Sequence, residues 1–318
     1  MRPVPLHLIR VVARGQRLPS WRVRGLLTIV IVCLITSCAS LSRDKRVLAY
    51  SPADFRSELS RRVPNLPERL MSPPYVVDRE TIERARAHTM KAEPGPERVQ
   101  SLVEFLSLAK PEGLGLVYDW SASGPADATI ELGRGNCVAL ASVLVALGRG
   151  LGWPIYYAEA RTRNPETHQF EAMRALSDHM AVVLAAKSFQ MIIDFTGLLD
   201  EVEDLRPIDD LTAYAHIVNN TTAQRLMTPG VVPDDAQWDA AIQGFELATK
   251  IQPSLGRAWN NLGIALTRRH HFDQAREAYE RAVALDTAFG SAKLNLTIME
   301  TRALGDAKMR RSDEPLPD

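Results

Sequence analysis

With 318 residues, 46% of them hydrophobic and 24% charged, the chain is long enough for one substantial domain and a smaller one, and its composition excludes both a disordered chain and a polytopic membrane protein. The formal net charge is zero, with 38 basic and 38 acidic residues, but six of the basic ones (Arg2, Arg10, Arg14, Arg17, Arg22 and Arg24) fall within the acid-free residues 1–38, which leaves 32 against 38 in the remainder. A mildly acidic body gives no reason to expect a nucleic-acid partner.

The arginine-rich start leads into an apolar run, Leu26 to Thr36, and then into Ser37-Cys38-Ala39-Ser40. A basic segment, a short apolar segment and small residues describe a secretory signal, and the run is short for a membrane span. Residues 1–38 are therefore expected to be left out of the fold. Ile35-Thr36-Ser37-Cys38 further resembles the bacterial lipobox, with Ile35 where leucine is commoner. That resemblance implies cleavage before Cys38, lipidation of Cys38, and a membrane anchor made of acyl chains. In lipoproteins of Gram-negative type, Ala39 in place of aspartate after the cysteine implies the outer membrane, with the protein facing the periplasm. Of the three cysteines, Cys33 then goes with the leader and Cys38 carries lipid, so Cys137 is the one free thiol and no intramolecular disulfide can form.

Residues 39–78 mix charge with Pro52, Pro64, Pro67, Pro73 and Pro74 and read as a tether and irregular lead-in, with one helix around Ala53 to Arg62. A first domain is expected over 79–212. Asp78 is a candidate N-cap for a helix to Met90, and Pro96 to Ala109 carries a wide apolar face (Val99, Leu102, Val103, Phe105, Leu106, Leu108) before Pro111 stops it. Leu114 to Trp120 reads as a short strand or a loop, and Ala126 to Leu132 leads to Gly133-Arg134-Gly135-Asn136-Cys137. That glycine-rich turn delivers a cysteine to the start of a helix, Asn136 to Gly150, that is apolar on nearly every side and so is expected to be central and buried.

After Gly152-Trp153-Pro154 come a strand (Ile155 to Ala160), a polar loop (Arg161 to Ser177), and two strand-like runs, His179 to Leu184 and Phe189 to Phe195, joined by a turn at Ala186-Lys187-Ser188. This predicts an antiparallel hairpin, and a buried helix followed by an antiparallel sheet is the order of an α+β fold. The acidic stretch Leu198 to Asp210 reads most simply as a solvated loop; metal binding there is conceivable but lacks histidine partners, and no metal or cofactor is expected.

A connecting helix, Leu211 to Leu226, opens an all-helical region over 213–303. There Ala241, Phe245, Ala248 and Pro253 recur 34 residues later as Ala275, Tyr279, Ala282 and Thr287. Trp259-Asn260-Asn261-Leu262-Gly263 matches the first-helix signature of a tetratricopeptide repeat, and Ala292 to Leu296 echoes it. His270-His271 fall at the turn between helices and read as surface residues. So short an array is expected to lean on the domain before it. Residues 304–318, with Pro315 and Pro317, read as a disordered tail.

A thiol at a helix N-terminus sits where the macrodipole favours its anion, which suits a nucleophile, although a small buried residue would occupy the same place. A nucleophile needs a base and a group to orient that base. His179, 42 residues after Cys137, opens a strand where a rigid backbone can hold an imidazole, and Asp194, 15 residues further, ends the next strand of the predicted hairpin. Asp178 is a rival for the orienting role, but as the neighbour of His179 on a strand it should point to the opposite face.

These residues together resemble the transglutaminase-like branch of the papain-like cysteine hydrolases. The resemblance rests on Gly135-Asn136-Cys137 with its apolar helix, Leu151 to Tyr157 passing from helix to strand, Asp178-His179-Met180, and Ile193-Asp194. Over roughly residues 97 to 303 the chain is also similar to bacterial lipoproteins that join such a domain to a short tetratricopeptide array, in which a stretch like Asn219-Asn220 precedes the repeats. The resemblance implies that Cys137 attacks a peptide or amide carbonyl, that His179 is base and then acid, that Asp194 orients it, and that a thioester passes to water or an amine. Tyr118 and Trp120 are the nearest upstream aromatics able to donate toward an oxyanion, with no assignment between them. The alternative is a non-catalytic envelope scaffold that binds a protein partner through the repeats.

Overall fold

The computed structural model describes residues 9–13, 47–162, 167–170, 173–176, 179–187, 189–197, 202–227, 232–285 and 290–312. The first described strand is β1 (Ile9–Ala13). In the lead-in, Ser51 accepts from the Asp54 amide at 3.1 Å and starts α1 (Pro52–Arg62), with Pro52 at a position where its missing N–H costs nothing. Phe55 and Leu59 of α1 are completely buried and join Tyr75 in the main core, so this helix packs as part of the folded domain. An aromatic and a leucine four residues apart share one face, enough to dock a short helix. Asp78 caps α2 (Arg79–Thr89), and α3 (Pro96–Ser107) buries Val99, Leu102, Val103, Phe105 and Leu106. Then come β2 (Val117–Tyr118), α4 (Ala126–Leu132), β3 (Arg134–Gly135) and α5 (Cys137–Gly150), whose residues Cys137 to Gly148 are all buried. As the all-round apolar pattern requires, α5 is the axis of the domain.

Against α5 lies an antiparallel sheet in the order β1-β8-β7-β4-β9, built from β4 (Ile155–Thr162), β7 (His179–Ala185), β8 (Phe189–Ile193) and β9 (Val202–Pro207), with β1 on one edge. In register, Ile155 faces Leu184, Tyr157 faces Val182, and Val182 faces Ile193. These residues, with Met180 and Met191, share the core of α5, while Ala158, Ala160, Ala181, Val183 and Ile192 form a separate cluster on the alternate positions. The β7–β8 hairpin turns at Ala186–Lys187, as the sequence pattern predicts.

Three differences from the sequence reading concern the sheet. The stretch read as a polar loop contains a small hairpin, β5 (Thr167–Phe170) paired with β6 (Met173–Leu176). The acidic stretch supplies β9, an edge strand paired with β4 through Ala158↔Pro207 to Arg161↔Asp204. Its alternation is weak because none of its residues is buried, with Glu203, Asp204, Arg206 and Pro207 exposed, which suits charged side chains on an edge. Ile9–Ala13, expected outside the fold as part of a leader, pairs with β8 from Ile9↔Ile193 to Ala13↔Phe189.

The helical region comprises α6 (Asp210–Leu226), α7 (Asp235–Ile251), α8 (Gly256–Arg268), α9 (Phe272–Leu285) and α10 (Ser291–Ser312). Because α10 runs to Ser312, the expected disordered tail from residue 304 is corrected: Ala303 to Arg311 holds strong helix formers, and the prolines that forbid a helix come only at Pro315 and Pro317. Helix α6 serves two cores, with Ala213, Ala215 and Ile217 in that of α5 and Ala223 and Leu226 in that of the repeats. At its start, buried Asp210 accepts two hydrogen bonds from Arg149 of α5, at 2.8 and 2.9 Å, and one from the Tyr50 amide at 2.8 Å. A chain of buried asparagines joins α10, α8 and α6: Asn295 donates to Asn260 at 2.9 Å and Asn261 donates to Asn219 at 3.0 Å. Helices α8 and α10 also rest against β6, so the array leans on the domain.

Candidate active site

The nucleophile turn is built by backbone fit. Gly133 ends α4 in the left-handed region (φ 72°), and its amide returns to the Thr129 carbonyl at 3.0 Å. A Cβ on Gly135 would lie 2.8 Å from Ala139 Cβ and 2.9 Å from Thr129 Cγ2, so only glycine lets the chain pass between α4 and α5. Parallel pairing of β2 with β3 lays Val117 and Tyr118 beside Arg134 and Gly135. The following loop is stitched to the turn through Asp119 N–H to the Gly135 carbonyl (2.9 Å) and Asn136 N–H to the Ala122 carbonyl (2.6 Å). Extended at φ −78° and ψ −176°, Asn136 caps α5 by accepting from the Ala139 amide at 3.1 Å. Cys137 thus occupies the first turn of a 14-residue helix, 5% exposed.

On the sheet, His179 opens β7 opposite Ala160 of β4, and Asp194 directly follows β8. The hairpin brings them together: His179 Nε2 lies 2.9 Å from Asp194 Oδ1, with the two residues 7% and 2% exposed. Cys137 is a side-chain hydrogen-bond partner of the same imidazole. Burial works against the imidazolium, but the hydrogen bonds to Asp194 and Cys137 outweigh it and push the His179 pKa up to about 10. For Asp194, burial favours the neutral acid, yet the bonds from His179 and Thr196 hold its carboxyl below the usual range.

Thr196 is a participant that the sequence reading did not single out. Its amide and hydroxyl both donate to Asp194 Oδ1, at 3.1 and 2.9 Å, and its oxygen lies 3.2 Å from His179 Nε2. Part of the signal was available, since an aspartate side chain often accepts the backbone N–H two residues on in an Asx turn.

Other histidines after Cys137 stand elsewhere. His168 is on β5; His216 is fully buried on α6 with Nε2 3.7 Å from Glu159 Oε1; His270 and His271 are exposed at the α8–α9 turn. Tyr118 and Trp120 flank the nucleophile turn, the latter 39% exposed with its carbonyl accepting from Gln224 at 3.0 Å. Cys38 and Asp178 lie outside the described residues. Among the described residues no group of three or more His, Cys, Asp or Glu is placed to hold a metal. A cavity of about 470 Å³ lined by Glu159, Arg161, Arg206, Gln252 and Arg257 includes none of Cys137, His179 and Asp194, so it is separate from this cluster.

Comparison with known families agrees with this architecture. The transglutaminase-like superfamily matches residues 84–192, a span that contains Cys137 and His179 and stops just short of Asp194. The tetratricopeptide repeat matches residues 256–289, covering α8 and α9. The chain therefore carries a transglutaminase-like domain followed by a helical tetratricopeptide repeat region.

Proposed function

We propose that the protein is a membrane-anchored cysteine hydrolase or acyltransferase that acts on peptide or amide bonds through Cys137, His179 and Asp194. The observation that carries this reading is the buried imidazole bonded at once to a carboxylate and to a thiol at a helix start. With Nε2 facing Asp194, Nδ1 is the nitrogen that serves the sulfur. In the first half-reaction Cys137 Sγ forms a bond to the substrate carbonyl carbon, the C–N bond breaks, and the proton on His179 goes to the departing amine. In the second, water or an amine attacks the thioester, gives its proton to His179, and the thiolate leaves. Asp194 stays ionised throughout and holds the ring, itself anchored by Thr196.

Iodoacetamide labelling of the Cys137 peptide tests the site. The native thiol should react well above the rate of a free model thiol, and Cys137→Ala should lose both the label and any activity on peptides. A native rate no higher than that of the model thiol would sink the reading. For the anchor, the support is Ile35-Thr36-Ser37-Cys38 behind a basic and apolar leader. On this reading the mature protein sits on the outer membrane facing the periplasm, without residues 1–37 and hence without β1. Palmitate incorporation that survives Cys38→Ala would rule it out.

The repeat match favours protein binding as a second role of the same chain. Because α8 and α10 already carry β6, a partner taking that face would act on a strand that leads shortly into His179. Pull-down of one partner should then be lost on removing residues 236–303 and kept in Cys137→Ala; the opposite pattern would exclude this role.

A further inference from the structure

Gln224 lies late in α6, far in sequence from the nucleophile, and the chemistry proposed above does not use it. Its amide makes two hydrogen bonds, both to main chain of one loop. Nε2 donates to the Trp120 carbonyl at 3.0 Å and Oε1 accepts from the Ser123 amide at 3.0 Å, across 104 and 101 residues. A primary amide with one donor and one acceptor engaged behaves like a strand of backbone laid across the loop, closing its two ends together.

The opposite side of that loop is bonded to the nucleophile turn. Between the two residues that Gln224 grips, Ala122 gives its carbonyl to the Asn136 amide at 2.6 Å, and its own amide donates to the Asp119 carbonyl at 3.1 Å. The Asp119 amide in turn donates to the Gly135 carbonyl at 2.9 Å. Asn136 is both the cap of α5 and the residue before Cys137, so any shift of Ala122 is passed to the first turn that holds the sulfur. On the same helix as Gln224, Asn219 accepts from Asn261 of α8, and Thr222 packs where a Cβ on Gly244 of α7 would clash at 2.3 Å. One face of α6 is thus registered by the repeats while Gln224 holds the loop beside the thiol.

We infer that Gln224 is a positioning residue that clamps the Trp120–Ser123 loop against the nucleophile turn, so that the seating of the repeat helices sets the geometry of Cys137. The inference rests on the reading of Cys137 as a nucleophile. It adds a means by which the repeats reach the site.

Two variants of the full chain test it. Gln224→Met keeps the length and removes both bonds, whereas Gln224→Glu keeps an acceptor for Ser123 and loses the donor to Trp120. The rate of iodoacetamide labelling of the Cys137 peptide should fall about tenfold in the Met variant, which corresponds to about 1.4 kcal/mol, and by less in the Glu variant. The pH midpoint of labelling should move upward, and amide exchange over residues 119–136 should quicken, while the thermal midpoint of the whole protein holds. Unchanged labelling rate and pH midpoint in both variants would overturn the inference, as would faster exchange with labelling unmoved. If the Met variant does not fold, the Glu variant decides by the same readouts. Because these are ratios to the native chain, they stand apart from the comparison with a free thiol: a slow native thiol would defeat the proposed function, whereas an unmoved ratio would defeat only the role of Gln224.

Discussion

Buried polar side chains occur in both halves of this molecule, at His179 and Asp194 in the domain and along Asn219, Asn261, Asn260 and Asn295 in the repeat region. Both sets are almost sealed from water, and both are hydrogen-bonded, as the cost of desolvating a polar group requires. They differ in charge. The asparagines pair amide with amide, neutral throughout, and link three helices at fixed positions along their axes. At the other site an imidazole and a carboxylate interact with each other and with a thiol, and every one of these groups can gain or lose a proton. The difference teaches that one fold uses burial for two ends: a neutral chain of bonds specifies register, whereas a titratable cluster stores a proton whose affinity the surroundings set.

The sharpest way to break the comparison is to neutralise the carboxylate. Asp194→Asn keeps the shape and places a neutral amide beside His179, and any turnover of a peptide or amide substrate should drop roughly 1,000-fold or more. Turnover at the native level would mean that the charge has no part. Smaller, and tied to proton affinity, is the dependence of stability on pH. His179 is raised from 6.5 to about 10 in the folded state, so its contribution is complete below pH 6.5 and is lost as pH rises toward 10. Asp194 is lowered, so its contribution is complete above its ordinary 3.8 and is lost as pH falls through its native value. Denaturant titrations at pH 6, 8 and 10 should therefore show stability falling with pH, and Cys137→Ala, which removes one partner of the imidazole, should flatten the fall. An unchanged slope in that variant would contradict the bond between the two side chains. The least effect is expected in the repeats. Asn295→Ala leaves the Asn260 carbonyl without this donor and should cost about 1–3 kcal/mol, by the same amount at pH 6 and pH 9. A cost that changed with pH would erase the distinction between the two polar systems.

Much of the molecule is legible from local chemistry. The Asp78 cap, the Pro96 start and the apolar face of α3 follow from rules that span four residues, and the buried character of α5 follows from its having no polar side. The β7–β8 hairpin shows as two apolar runs around a short turn, and the repeat helices show as a period. What escapes is structure whose partner is remote. Strand β9 is charged and irregular in pattern because it is an edge strand; only β4, far back in the chain, makes it a strand. Thr167–Phe170 and Met173–Leu176 form a hairpin with neither glycine nor asparagine between them to announce a turn. The dense core contacts of Phe55 and Leu59 are likewise invisible among the prolines that surround them.

By itself the amino-acid sequence determined where a thiol meets a helix start, which histidine and aspartate open and close neighbouring strands, and how the repeats are spaced. Each of these depends on side-chain type and short-range geometry. Only the tertiary structure decided that Nε2 of His179 faces Asp194, that Thr196 shares the same carboxylate oxygen, and that Gln224 reaches back across 104 residues to the loop beside Cys137. A hydrogen bond depends on the direction and distance of two groups, and between remote segments those are set by how helices and sheet pack, which no local pattern encodes.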